Sequence, residues 1–312
     1  MNIVFFGSSK LSIPSLEALA ESKHRISCVV TQPDRRQGRG LHYASTPVKS
    51  VAQVHGFKIY QPERINTDEA LEFLSGLNAD LFVVIAYGQI LSAGILNIPA
   101  DFCLNVHASL LPQYRGAAPI NWAIINGEKN TGITTIKMVE KMDAGPIILQ
   151  TAIDIACDDT ILSLEEKMAH QAAEILLESI KAIESKSFEL TPQDESKVSF
   201  APKLKKEDGL IDWHKKSVEI YNLVRGCLDW PTAFTYYKGK RLKIYAAKTK
   251  DRISSIDSTS PGEIVNISPE VITVATGEGM LLIEKIQLEA RRTMTAKEFL
   301  AGHKITPGEK LG

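Results

Sequence analysis

Asn105 and His107 stand two residues apart after a short apolar run, Phe102-Cys103-Leu104. The run reads as a buried strand that ends at Asn105. Side chains two apart on a strand share one face, so an amide and an imidazole project together at its C-terminal end. In an open α/β sheet that edge is where ligands bind. Asp143 follows in Asp-Ala-Gly-Pro, a turn after a second apolar strand, Ile133 to Val139. These three residue types suit acyl transfer to an amine. A side-chain amide N–H can donate to an oxyanion. A neutral imidazole can take the amine's proton, or an imidazolium can supply one to the leaving nitrogen. A carboxylate beside the imidazole is expected to fix its tautomer.

The surrounding residues form a longer pattern. Asn105-Val106-His107-Ala108-Ser109-Leu110-Leu111-Pro112 is followed by Arg115-Gly116-Ala117-Ala118-Pro119 and then by Asp143-Ala144-Gly145-Pro146. This pattern resembles the signature of the 10-formyltetrahydrofolate-dependent formyltransferases. The Arg-Gly-Ala-Ala-Pro wording is most similar to the branch that formylates methionyl-tRNA. The resemblance implies that Asn105, His107 and Asp143 are the catalytic trio. It implies a folate site formed by Ser109, Leu110, Leu111 and Pro112, by Tyr87, Gly88, Gln89, Ile90 and Leu91 on the pterin side, and by Val139. The implied co-substrate is 10-formyltetrahydrofolate, with no metal. The implied acceptor is initiator methionyl-tRNA, formylated for translation initiation.

The elements that must position these residues alternate. Asn2 to Gly7 reads as a first buried strand, and a helix starts near Ile13, with Pro14 suited to its first turn. The loop between them, Gly7-Ser8-Ser9-Lys10, lacks the second and third glycines of a dinucleotide fingerprint, which counts against an NAD enzyme. Ser8-Ser9 stands where the resembled family usually has Thr-Pro, a departure expected to have no consequence. Further strands are read at Ile26 to Thr31, Lys58 to Tyr60, Leu81 to Ala86 and Ile147 to Ile155. Helices are read at Thr46 to Val54, Asp68 to Ser75, Ile120 to Asn126 and Leu162 to Ile183. The alternation predicts an α/β, Rossmann-like, mostly parallel twisted sheet with helices on both faces.

Residues 189–206 hold Pro192, Pro202 and mixed charges and read as a linker between a catalytic domain, 1–188, and a second domain, 207–312. In the second domain a helix at Ser217 to Gly226 precedes short alternating runs separated by glycines. They predict a small OB-like β-barrel, of the kind that commonly binds nucleic acid. Arg225 to Pro231 and Pro261 to Ile264 resemble the family's C-terminal domain. Ala290 stands where the family usually has Gly, which is expected to be tolerated unless the position needs a positive φ.

Charge adds a partner. The net charge is −1, but residues 1–202 carry −6 and residues 203–312 carry +5. A basic part on an acidic chain suits a polyanion. Gln32 to Gly40 holds Arg35, Arg36 and Arg39 with nothing apolar to anchor it, so it reads as an exposed mobile loop suited to phosphates. It is similar to the family's insertion that grips the tRNA acceptor stem. Lys205, Lys206 and Lys243 are the basic candidates in the C-terminal half.

Four scattered cysteines without a C-x-x-C predict reduced thiols rather than disulfides or a metal site. No apolar run approaches the roughly 20 residues of a membrane span. A strand beginning at Asn2 leaves no room for a targeting peptide. The expectation is a cytoplasmic monomer that engages neither membrane nor DNA. Two other readings stay open: N-formylation of an amino-sugar nucleotide by a related enzyme with the same trio, and tRNA binding without catalysis. The sequence also leaves open whether His107 moves the proton or Asp143 does so through a water.

Overall fold

A computed structural model describes residues 1–37, 42–251 and 259–312. The chain divides into two compact units. The first comprises residues 1–119, 130–154 and 165–202; the second comprises 120–129, 155–164 and 203–312.

The first unit is built on strands β1 (Asn2–Gly7), β2 (Arg25–Val30), β5 (Ile59–Tyr60), β6 (Leu81–Ile85), β7 (Phe102–His107), β9 (Asn130–Lys137) and β10 (Ile147–Asp154). They form one seven-stranded sheet in the order β10-β9-β7-β6-β1-β2-β5. The pairs from β7 to β5 are parallel; β9 runs antiparallel to both β7 and β10. Ile3, Val4, Phe5 and Phe6 of β1 are all fully buried, as expected of a central strand covered on both faces. The associated helices are α1 (Ile13–Ala20), α2 (Pro47–Val54), α3 (Asp68–Ser75), α4 (Ala93–Leu96) and α6 (Ile161–Glu184). Thr46 and Thr67 cap α2 and α3, each accepting a backbone N–H three residues on.

At the C-terminal edge of this sheet Ser8 has a structural task. Its hydroxyl donates to Tyr87 O and accepts Gln32 N–H, linking the chain beyond β1, β6 and β2. A threonine hydroxyl could make the same two bonds.

Four local readings change. The arginine-rich segment expected as a loop begins and ends in a hairpin, β3 (Arg35–Gln37) paired with β4 (His42–Ala44). Residues 38–41, Arg39 among them, lie outside the described residues. The strand expected to reach Val139 ends at Lys137, where Gly145 packs against the Lys137 carbonyl. Part of the stretch read as a linker is sheet: β11 (Phe200–Ala201) pairs in parallel with β8 (Arg115–Gly116) in the segment that follows β7. Ala290 has φ +59, so that position does take the left-handed conformation in which glycine is favoured.

The second unit begins with α5 (Pro119–Ile125, whose first residue belongs to the other unit) and contains α7 (Ser217–Gly226) and a curled antiparallel half-barrel. Its strands are β12 (Phe234–Tyr237), β13 (Lys240–Lys250), β14 (Ile264–Ile267), β15 (Ile272–Ala275), β16 (Met280–Leu288) and β17 (Met294–Thr295), followed by α8 (Ala296–Gly302). The path is β12-β13-β16-β15-β14, with β17 on β16. Ile220, Ile244, Ile264, Leu281, Ile286 and Phe299 share one buried cluster. Buried Arg225 donates to Asn222 Oδ1 and to the carbonyls of Ala156 and Asp159, fixing α7 to the 155–164 segment. Among the described residues no helix is long and apolar enough to cross a membrane, and no group of three or more His, Cys, Asp or Glu is placed to hold a metal ion.

Candidate active site

The structure brings Asn105, His107 and Asp143 together. Asn105 and His107 sit on β7, where Asn105 lies between Val84 of β6 and Ile136 of β9. Asn105 Nδ2 donates to Asp143 Oδ1 at 3.4 Å, and His107 Nδ1 lies 3.6 Å from the same oxygen. The other carboxylate oxygen, Oδ2, accepts the Gly116 N–H at 2.8 Å. Asp143 has φ +51, a conformation that aspartate tolerates better than most residues. Gly145 just beyond it admits no side chain: a Cβ there would meet Lys137 O at 1.8 Å.

The tautomer of His107 is fixed by a group the sequence did not suggest. Nε2 lies 3.0 Å from the Tyr114 carbonyl oxygen. A carbonyl only accepts, so Nε2 carries a proton. Nδ1 is thereby turned toward Asn105 and Asp143, and in the neutral ring it bears the lone pair. The carboxylate was expected to set the tautomer; the Tyr114 carbonyl does so instead, because Asp143 lies beyond hydrogen-bond length from the ring.

Residues 191–201 hold both partners of His107. Ser199 Oγ accepts the Tyr114 N–H at 2.9 Å, Ser199 O accepts the Arg115 N–H at 2.9 Å, and Ala201 O accepts the Ala118 N–H at 3.2 Å. Arg115 is 2% exposed. Its guanidinium donates to Gln193 Oε1 through Nε and Nη2 at 3.0 and 2.8 Å, and to Glu195 Oε1 at 2.8 Å. Arg115 and Lys141 hold the Glu195 carboxyl down at about 2. Gln193 Nε2 donates to the carbonyls of Asp143 and Gly145 at 2.8 and 2.7 Å. Arg115 was visible as part of the motif; Gln193, Glu195 and Ser199 were missed. A buried arginine demands partners, but nothing in the sequence says that they lie about eighty residues on.

The Ser109 to Pro112 segment is locked to the sheet. Ser109 Oγ donates to Gln113 O, Thr134 Oγ1 donates to Ser109 O, and Gln150 Nε2 donates to Leu111 O. Ser109 and Leu111 are buried; Leu110 and Pro112 are half-buried. The Tyr87 ring turns inward, edge-on to Phe6, where burial pushes its hydroxyl's pKa up. Leu91 is also in that core. Gln89 is tied to the 62–65 segment by accepting the Ile65 N–H at 2.9 Å. Gly88, Ile90 and Val139 are exposed. A cavity of about 500 Å³ is lined by Leu96, Asn97, Phe102, Met138 and Val139 among others; none of the trio lines it.

The basic residues are separate from the trio in sequence and differ in their ties. Arg35 Nη2 pairs with Glu63 Oε2 at 2.6 Å. In the second unit Lys205 and Lys206 are exposed, and Lys243 is half-buried with Nζ 3.5 Å from Thr232 Oγ1. Cys28, Cys103 and Cys227 are buried, which pushes each thiol up to about 12; Cys157 is exposed.

Residues 1–180 match the profile of the formyl transferase family, and residues 203–304 match that of the formyl transferase C-terminal domain. The chain belongs to the formyl transferase family. Its relatives over the full length are methionyl-tRNA formyltransferases. It is 43% identical to that of Acetivibrio thermocellus with all of both chains covered, and 42% identical to that of Geobacter sulfurreducens, covering all of this chain and 97% of the other. Solved structures share the fold. WlaRD, a sugar 3N-formyl transferase, superposes with a TM-score of 0.67 at 18% identity, covering 94% of this chain and 99% of the other. HypX from Aquifex aeolicus, solved with tetrahydrofolic acid, gives 0.63 at 19% identity; the match covers 98% of this chain and about half of HypX.

Proposed function

We propose that this chain transfers the formyl group of 10-formyltetrahydrofolate to the α-amino group of methionyl-initiator tRNA, for translation initiation. Identity above 40% over the full length to methionyl-tRNA formyltransferases carries the substrate assignment. The convergence of Asn105, His107 and Asp143 carries the chemistry. The folate assigned to this site supplies the formyl group. Exposed apolar Ile90, Val139 and Met142 offer hydrophobic surface in or near the segments assigned to the pterin, which fits a flat heteroaromatic ligand.

Each residue of the trio has one task. Asn105 Nδ2 donates to the formyl oxygen as negative charge develops there. His107 Nδ1, with Nε2 committed to Tyr114, takes the proton of the attacking amine, and as the bond from the formyl carbon to folate N10 breaks the imidazolium returns that proton to N10, so that tetrahydrofolate leaves. An α-amino group has a free pKa of about 7.7–8.0, so much of it is protonated at neutral pH and must give up a proton before it attacks. Asp143 stabilises the imidazolium that forms, and its Oδ2 is steadied by Gly116 N–H. Arg35, Arg36 and Arg39 of the catalytic domain (1–188), Lys205 and Lys206 of the linker (189–206) and Lys243 of the C-terminal domain (207–312) contact tRNA phosphates.

The test is a labelled formyl-transfer assay with charged initiator tRNA and an amino-sugar nucleotide in parallel arms. The reading expects label on the tRNA alone. Label on the sugar nucleotide alone, or on neither, overturns it.

A further inference from the structure

We infer that Gln193 is a positioning residue for formyl transfer, its side-chain amide holding the Asp143 turn so that the carboxylate faces His107 and Asn105. The inference rests on the formyl-transfer reading above. It comes from the way one amide uses all of its hydrogen-bonding capacity. Its two N–H bonds go to Asp143 O and Gly145 O, and its oxygen accepts twice from Arg115. A primary amide has two donors and two acceptor sites, so none is left over.

The grip extends beyond one residue. Glu195 Oε2 accepts from Lys141 Nζ at 3.0 Å, two residues before Asp143. Gln193 and Glu195 therefore hold the turn at Lys141, Asp143 and Gly145. Arg115 joins them from the other side. Its buried charge polarises the Gln193 amide and strengthens the N–H bonds to the turn. Arg115 Nη1 is buried with no hydrogen-bond partner among the described residues, so the guanidinium depends on Gln193 and Glu195. The same segment, through Ser199, holds Tyr114, whose carbonyl sets the His107 tautomer. Asp143 itself sits at φ +51, where a non-glycine residue stays only if its surroundings hold it. Gln193 supplies that hold without touching the trio's side chains.

The chemistry predicts which substitution is informative. Gln193→Glu keeps the length and pairs with Arg115, but it sets a second acceptor against the Asp143 and Gly145 carbonyls. Gln193→Met keeps the length and offers neither donor nor acceptor; it serves if the glutamate variant does not fold.

The experiment has two readouts on the full chain. One is kcat and KM for formylation of charged initiator tRNA. The other is hydrogen exchange of the Gly116 amide without substrate, since that N–H is bonded to Asp143 Oδ2. A displaced carboxylate should cost about tenfold or more in kcat, with both KM values within about threefold. Gly116 exchange should accelerate by about tenfold or more, while the Phe5 and Phe82 amides in the sheet stay protected. A kcat within about twofold of wild type, or unchanged Gly116 exchange, would overturn the inference. No formyl transfer by the unsubstituted chain would overturn the functional reading instead, and Gly116 exchange would still decide whether Gln193 holds the turn.

Discussion

The loop that follows His107 and the hairpin that carries Arg35 are both polar excursions from one sheet, and they are held in opposite ways. The loop is fastened by a buried hydrogen bond to β9 and by part-buried ones to β10 and the 191–201 segment. The hairpin is fastened at its root by ion pairs. Arg35 meets Glu63, with side chains 57% and 69% exposed, and Asp34 meets Lys49 at 2.6 Å. Lys49 and Gln61 hold the Asp34 carboxyl below its ordinary range. Losing one partner of a buried hydrogen bond costs about 1–3 kcal/mol. An exposed ion pair contributes about 0–1 kcal/mol and weakens with salt. The residues assigned to the chemistry are therefore held by a loop that cannot rearrange cheaply, through Tyr114 O to His107 and Gly116 N–H to Asp143. The polyanion is assigned to a hairpin whose own ion pairs can exchange for phosphates.

The largest test of this contrast is Asp143→Ala. It should cut turnover by a factor on the order of 10²–10⁴ with the fold intact, read by steady-state formylation and circular dichroism. Turnover within a few-fold of wild type would remove Asp143 from the mechanism. Gly145→Ala attacks the fastening rather than the chemistry. Its Cβ would collide with backbone, so we expect a loss of about 2–3 kcal/mol in urea unfolding. On the hairpin, Arg35→Ala should change stability by less than about 1 kcal/mol. It should lower the salt slope of tRNA binding by just under about one unit. An unchanged slope at every salt concentration would leave Arg35 as a solvated side chain.

Two further effects are smaller. Glu195 has a depressed folded pKa, from 4.5 to about 2. Its contribution is complete above the unfolded value and is lost as pH falls through that window. Glu195→Gln should flatten the acid side of the stability curve, measured by urea unfolding between pH 6 and pH 2. Ala290→Gly lies in neither region. Relief of its left-handed backbone, less the entropy glycine brings, should raise stability by about 1 kcal/mol or less, seen as a rise in Tm. A fall in Tm would show that the Ala290 methyl is packed to advantage.

The sheet strands were legible because each is a short apolar run bounded by turn residues, and the Asn105–His107 pair because period two puts both on one edge. The bounds of α3 and α7 were legible too, since caps and periodicity are local signals. What could not be read depends on distance along the chain. Gln193 carries no periodicity, and its role exists only because β11 returns beside β8. Pro192 and Pro202 suggested a linker; the segment between them is ordered by bonds to residues near 115 and 143. The hairpin was hidden because its pairing is set by backbone rather than by an apolar face. Ser109 and Leu111 were assigned to ligand by resemblance, while their burial shows that they shape the loop from within.

On the reading proposed above, one region sets the rate and the other sets tRNA affinity. This division is tested most directly by single-turnover formylation of charged initiator tRNA by His107→Ala and Arg35→Ala, with tRNA Kd measured on the same preparations. A crossed result is expected. His107→Ala loses about 10²-fold or more in rate with Kd within about twofold, and Arg35→Ala weakens Kd in a salt-dependent way with a much smaller loss in rate. A His107→Ala variant that keeps its rate and loses tRNA affinity would contradict it.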